Sequence, residues 1–216
     1  MSQDEDKVNL IMNSNICNDG TLATDANPCL YAWHDKVSNN NYGPDTAMEN
    51  LYNATKNWSN VPNMDLSGEN AYIDENNGSD STKGYVGITT NNGVVIITGK
   101  NGAPSTTIGT ASNPLKARLP KEGEVMLPNN SFCTYSFGSC PPWLVENLAN
   151  LNIDKYATTP KIDNIHGYWI LSSHSGDSYM ARGVGSGGNM SEYGTNTINK
   201  YIGLRAVITI PKTYLP

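Results

Sequence analysis

Apolar residues in this chain fall in short runs between turn residues, and helical stripes are few. The last quarter shows the pattern most clearly. Gly167-Tyr168-Trp169-Ile170-Leu171 and Gly203-Leu204-Arg205-Ala206-Val207-Ile208-Thr209-Ile210 each read as a buried strand, an apolar, β-branched and aromatic run bounded by turn residues. Between them the text turns polar. Of the 30 residues in 172–201, 18 are Ser, Gly, Asn or Tyr, and the aliphatic or thioether positions are Met180, Ala181, Val184, Met190 and Ile198. A segment that leaves one core strand and returns to another reads as an ordered polar surface pinned at both ends. Its composition is that of binding loops. Tyr gives rigid contact area at low entropic cost, and Ser, Gly and Asn give adaptable hydrogen bonding. The competing reading is an ordinary polar loop without a ligand.

Upstream, 6–16 carries Val8, Leu10, Ile11 and Ile16 and predicts a strand or a short helix entering the core. A turn-rich loop spans 17–29, Tyr31-Ala32-Trp33 is a short apolar segment, and 39–44 is a loop. The clearest helix follows. Asp45 or Thr46 caps it, Glu49 is the reciprocal partner, Ala47, Leu51, Ala54 and Trp58 mark its buried face, and Asn60-Val61-Pro62-Asn63 ends it. Strands at 84–90 and 93–99 form a hairpin around Asn91-Asn92, and Ser105-Thr106-Thr107-Ile108 is a candidate third strand. Together they make 67–113 an inserted β-rich subdomain rather than a separate folding unit. A second helix is expected over 141–148, with proline in its first turn and Trp143, Leu144, Leu148 and Leu151 buried. The whole reads as one α+β domain, 1–216, with two helices and short mixed or antiparallel strands.

Composition narrows the function. Net charge is −6 with no basic cluster, which argues against a nucleic-acid or anionic-membrane partner. Charged residues are 16%, a balance that suits an extracellular β-rich protein. The four cysteines allow three pairings, and local spacing favours Cys17 with Cys29 and Cys133 with Cys140. Disulfides imply an oxidising compartment and hence export. No signal peptide or transmembrane run is visible, so an export or anchor segment is expected upstream, and membrane contact would come only through that anchor. A phage structural protein assembled with reduced thiols is the alternative. His34, His166 and His174 lack zinc-site spacing. The acidic stretch 74–80 lacks the full spacing of a calcium loop and reads as a solvated turn. No metal and no cofactor is implied.

Three short motifs carry a resemblance. Ala117-Arg118-Leu119-Pro120-x-x-x-Glu124, Gly167-Tyr168-Trp169 and Gly203-Leu204-Arg205-Ala206-Val207 resemble, in order and spacing, segments of formylglycine-generating-enzyme-like C-type lectin folds, with Ala206 where proline is usual. Around a Ser/Gly/Asn/Tyr-rich segment, this pattern is similar to the variable proteins of diversity-generating retroelements. The front half, through Gly43-Pro44 and Trp58-Ser59-Asn60-Val61-Pro62, resembles the exported part of pilin-like surface proteins of gut Firmicutes. The resemblance implies a C-type-lectin-like fold and a variable ligand-binding region over 167–210. Adenine-directed mutagenesis of Asn codons cannot produce Met, Glu or Lys, so Met180, Met190, Glu192 and Lys200 should be fixed. The residues expected to vary and to read the ligand are Ser173, His174, Ser175, Asp177, Ser178, Tyr179, Arg182, Ser186, Ser191, Tyr193, Asn196, Asn199 and Tyr201.

The expected function is therefore surface display of a noncovalent binding face. Tyr179, Tyr193 and Tyr201 would be aromatic anchors, and Arg182 would pair with an acidic group on a protein or carbohydrate ligand of another cell, phage or host. A structural subunit assembled into a pilus, and a phage tail receptor-binding protein, are the alternatives. An enzyme is disfavoured, because the sulfatase-modifying oxidases of the resembled fold need a cysteine pair near the domain end and no cysteine follows Cys140. Serines around His174 lack a legible third orienting group. The sugar-binding triplets of calcium-dependent lectins are absent too, which leaves a calcium-free lectin open.

Overall fold

Lys7, Val8, Asn9 and Leu10 alternate polar and apolar, and with Ile11 they form a strand. The computed structural model describes residues 6–24, 26–35, 40–64, 87–91, 93–99, 103–125, 167–173, 180–185, 190–194 and 202–215. In chain order they hold β1 (Lys7–Ile11), α1 (Asp45–Thr55), β2 (Gly87–Asn91), β3 (Val94–Thr98), β4 (Thr106–Ile108), α2 (Glu122–Val125), β5 (Tyr168–Ser173), β6 (Met180–Val184), β7 (Met190–Gly194) and β8 (Val207–Pro211). A 3-10 turn, Lys212–Tyr214, follows β8. The strands form three small antiparallel sheets, in the orders β1-β8, β2-β3-β4 and β5-β6-β7. This is a mixed α+β arrangement with short strands.

The first strand pairs with the last. Val8 stands opposite Ile210 and Leu10 opposite Ile208, and the Lys212 N–H donates to the Asp6 carbonyl at 2.8 Å. The open question over 6–16 is thus settled as strand, with Ile16 beyond it buried.

Helix α1 buries Ala47, Leu51 and Ala54, as the spacing predicts, and Met48 besides, with Trp58 packed on the core just past its end. Fully burying residues such as Met48 and Leu51 stabilises by about 1.5–3 kcal/mol each. The cap differs from expectation. Pro44 occupies the N-cap, and Asp45 lies inside the first turn. Its Oδ1 accepts the Thr46 N–H at 2.7 Å and lies 2.7 Å from His34 Nδ1. The one carboxylate oxygen thus serves a first-turn backbone N–H and the buried histidine together. The helix also stops at Thr55, short of Trp58.

The expected hairpin is present, but its turn falls one residue later than expected, at 92–93 rather than Asn91-Asn92. Asn91 stands opposite Val94, Gly93 takes φ 77°, and β4 adds to β3 through Val95 opposite Ile108. Two-residue connections of this kind need positive φ, which Gly supplies. Val95, Ile97 and Ile108 join the same core cluster as Ala47, Met48, Leu51 and Trp33. The expected helix over 141–148, the Cys133–Cys140 pair and the acidic stretch 74–80 lie outside the described residues. The four-residue α2 has no counterpart in the sequence reading.

Candidate functional site

The polar segment 172–201 leaves the core at β5 and returns at 202–204, and these two roots are bonded to each other. The Gly203 N–H donates to the Gly167 carbonyl at 3.0 Å, and the Trp169 N–H donates to the Gly203 carbonyl at 3.1 Å. Both glycines are needed there. A Cβ on Gly167 would run into the Val184 carbonyl, and one on Gly203 into the Asn15 side chain. Asn15 is buried and donates its Nδ2 to the Gly167 carbonyl at 2.7 Å.

The front half grips the same seam. The Ile16 N–H donates to the Leu204 carbonyl at 2.8 Å, and the Tyr31 N–H donates to the Ile202 carbonyl at 2.9 Å. Trp169 and Trp33, both fully buried, send their indole N–H groups in opposite directions. Trp169 Nε1 donates to the Tyr31 carbonyl at 2.8 Å, and Trp33 Nε1 to the Ile170 carbonyl at 2.9 Å. Burial with a satisfied N–H is how tryptophan fixes a position rather than merely filling space.

The Arg118 segment closes the frame. Arg118 and Val207 exchange both backbone hydrogen bonds, at 3.0 and 2.8 Å, and the Leu171 N–H donates to the Pro120 carbonyl at 2.9 Å. The Arg118 guanidinium is buried and bonds both Glu124 carboxylate oxygens, at 2.7 and 2.5 Å. Glu124 also accepts from the Lys121 N–H at 2.9 Å and from Asn9 Nδ2 at 3.0 Å. Burial works to raise the Glu124 carboxyl pKa, but Arg118 and Lys121 outweigh it and hold it below the ordinary value. Arg205, also buried, lies over the Tyr168 ring at 4.3 Å. Burial pushes the Tyr168 phenol up, against the opposing charge of Arg205.

On this frame, β6 lies between β5 and β7. Trp169 stands opposite Gly183 and Ser173 opposite Ala181, with a register shift between them. Across the other edge Ala181 stands opposite Tyr193, Arg182 opposite Glu192 and Gly183 opposite Ser191. Asn40, itself buried, donates Nδ2 to the carbonyl of Met180, the first residue of β6, at 3.0 Å. Its loop leads to Tyr42, which stacks on the fully buried His34 with ring centroids 4.4 Å apart.

No family model, curated protein or solved structure matches the chain. The site therefore rests on its own geometry.

Of the thirteen expected ligand-reading residues, Ser173, Arg182, Ser191 and Tyr193 fall on described strands. The other nine (His174, Ser175, Asp177, Ser178, Tyr179, Ser186, Asn196, Asn199 and Tyr201) lie outside the described residues, between β5 and β6, between β6 and β7, and after β7. Arg182 corrects the sequence reading. It is 9% exposed, and its Nη1 donates to Glu122 Oε1 at 2.7 Å. An arginine on a polar segment reads as partner-facing, yet this one pairs with a fully buried carboxylate of its own chain. Glu122 and Asn40 were not legible as site supports, because their partners are 60 and 140 residues away in the chain.

The Cys17–Cys29 pair forms a disulfide, with Cα atoms 5.1 Å apart, as local spacing favours. It is compatible with an oxidising, extracellular setting. Among the described residues no helix is long and apolar enough to cross a membrane.

Proposed function

We propose that this chain is a surface-displayed, non-catalytic binding protein. Its C-terminal polar segment would be a diversifiable recognition face on a C-type-lectin-like scaffold, of the kind used by variable proteins of diversity-generating retroelements. One observation supports this reading above the others. The three motifs that carry the resemblance, around Arg118, Gly167 and Gly203, are bonded to one another: Arg118 to Val207, Leu171 to Pro120, and Gly203 to Gly167. The residues that resemble a scaffold thus behave as one, and the polar segment starts and ends on it.

The correction at Arg182 sharpens the proposal. Residues of β6 are mostly buried and serve the frame, so recognition falls to Ser173, Ser191 and Tyr193 and chiefly to the connections between strands, as it does in other folds that carry binding loops on fixed strands. The ligand would be a protein or carbohydrate on another cell, a phage or a host, and the setting the cell surface, with assembly into a pilus compatible with the same display.

A library tests this. The nine connection positions would be randomised together to the residues an Asn codon can reach, and members scored for folding and for selected binding to hen lysozyme as an arbitrary target. Most members should fold, and binders should be recoverable. A library in which most members fail to fold would contradict the proposal. In the genome, a neighbouring reverse transcriptase and a near-copy of the DNA encoding 167–210, differing at adenines, are expected.

A further inference from the structure

The two front-half segments that flank Gly203 are joined covalently. Ile16 donates to Leu204, Tyr31 donates to Ile202, Cys17 follows Ile16, and Cys29 precedes Tyr31 by two residues. Ile16 and Tyr31 each pack on the core, and Cys17 is buried. Between Ile16 and Tyr31 the described residues add nothing to the core cluster, and Leu22 is 56% exposed. What the loop offers is polar. The Asn18 N–H donates to Tyr31 Oη at 2.7 Å, and Asp19 accepts from the Thr21 N–H and hydroxyl at 2.9 and 2.7 Å. Cys29 also sits at φ 52°, a region that L side chains adopt rarely. Such a conformation persists only where its surroundings hold it, and the cross-link to Cys17 is one of those restraints.

We propose that the Cys17–Cys29 cross-link is a redox-sensitive clamp on both roots of the polar segment. With the bond intact, Ile16 and Tyr31 are fixed beside Leu204 and Ile202, and through Trp169 Nε1 to the Tyr31 carbonyl the constraint reaches β5. Reduction loosens this seam while the core beyond it stays folded. The chemistry is thiol–disulfide exchange with a dithiol reductant. A thiolate attacks one cysteine sulfur, the Cys17–Cys29 bond breaks as a mixed disulfide forms, and the second thiol of the reductant displaces the protein thiol. The protein gains two electrons and two protons as two thiols, and the reductant leaves as its own disulfide. Cys29 is partly exposed and offers the point of attack. The consequence for recognition rests on the function proposed above; the clamp itself does not.

Amide hydrogen exchange of the full chain, with and without dithiothreitol, tests the clamp without any ligand. Reduction should speed exchange at the Ile16, Tyr31, Trp169 and Gly203 amides by tenfold or more and leave β3 amides within twofold. The Cys17→Ser/Cys29→Ser double variant should show the fast seam without reductant and no further change on adding it. A Cys133→Ser/Cys140→Ser variant should respond like the unaltered chain, which separates the two cysteine pairs. Unchanged seam amides on reduction would overturn the proposal, and so would equal acceleration in β3, which would mean global unfolding. If the Cys17→Ser/Cys29→Ser variant does not fold, graded reduction of the unaltered chain decides alone. Each result holds whether or not the segment binds anything.

Discussion

Trp33 and Trp169 hold each other's segments: the indole of Trp33 donates to the Ile170 carbonyl at 2.9 Å, and the indole of Trp169 donates to the Tyr31 carbonyl at 2.8 Å. Both rings are fully buried. Each thus couples apolar burial to one directional bond across the seam between the front half and β5. Trp169→Ala is expected to cost about 3–5 kcal/mol through the cavity it leaves. Trp33→Phe keeps most of the volume but deprives the Ile170 carbonyl of its donor, at about 1–3 kcal/mol. Urea denaturation of both variants checks this, and a neutral Trp169→Ala would remove the seam from the account.

The Arg182–Glu122 pair makes a second prediction. Removing one partner of a buried ion pair leaves an uncompensated charge, so Arg182→Ser should destabilise by about 3–5 kcal/mol. Serine is a residue that the proposed diversification would sample at a variable position. Chemical denaturation that finds Arg182→Ser neutral would return Arg182 to the ligand-reading set.

Glu124 sets a pH dependence. Its folded pKa lies below the ordinary 4.5. The stabilisation it gives is therefore present above pH 4.5 and is lost as pH falls through the folded value. Glu124→Gln should cost about 1.5–3 kcal/mol at neutral pH, as expected for hydrogen bonds to a charged group, and its loss of stability below pH 4.5 should be shallower. Parallel acid titrations of melting temperature for the two proteins would argue against Arg118–Glu124 as the cause.

The root glycines differ in what surrounds them. A Cβ at Gly167 meets backbone, the Val184 carbonyl, whereas at Gly203 it meets the Asn15 side chain. Gly167→Ala is expected to cost about 1–3 kcal/mol by overpacking, and Gly203→Ala less if Asn15 yields. Thermal unfolding of the two variants ranks them, and the reverse order would show that Asn15 is the more rigid neighbour.

What the sequence disclosed and what it hid divide along one physical line. Local periodicity and turn chemistry were readable: the β2–β3 hairpin, to within one residue of its turn, the apolar face of α1 at Ala47, Leu51 and Ala54, the buried Trp169, and the Cys17–Cys29 pair all follow from neighbours in the chain. Contacts between charged or polar groups distant in sequence were not. Arg182 looked like a surface cation because Glu122 is 60 residues away. Asp45 looked like a helix cap alone, because nothing local announces that the same carboxylate also meets the buried His34. Helix α2 has four residues with Gly123 among them, too short for a periodic signal. Its carboxylates matter instead, Glu122 holding Arg182 and Glu124 holding Arg118.

The most direct measurement concerns the division of labour itself, a frame that carries stability and connections that carry recognition. Tyr179 and Tyr201 would be replaced together by serine, and the melting temperature compared with that of the unaltered chain. Exposed positions change stability by no more than about 0.5 kcal/mol each, and 1 kcal/mol shifts melting by about 2–4 °C in a domain of this size. A melting temperature within about 4 °C of the parent is the expected result. A fall of about 10 °C or more, the scale of a lost core side chain, would show that these tyrosines belong to the frame and would contradict the account.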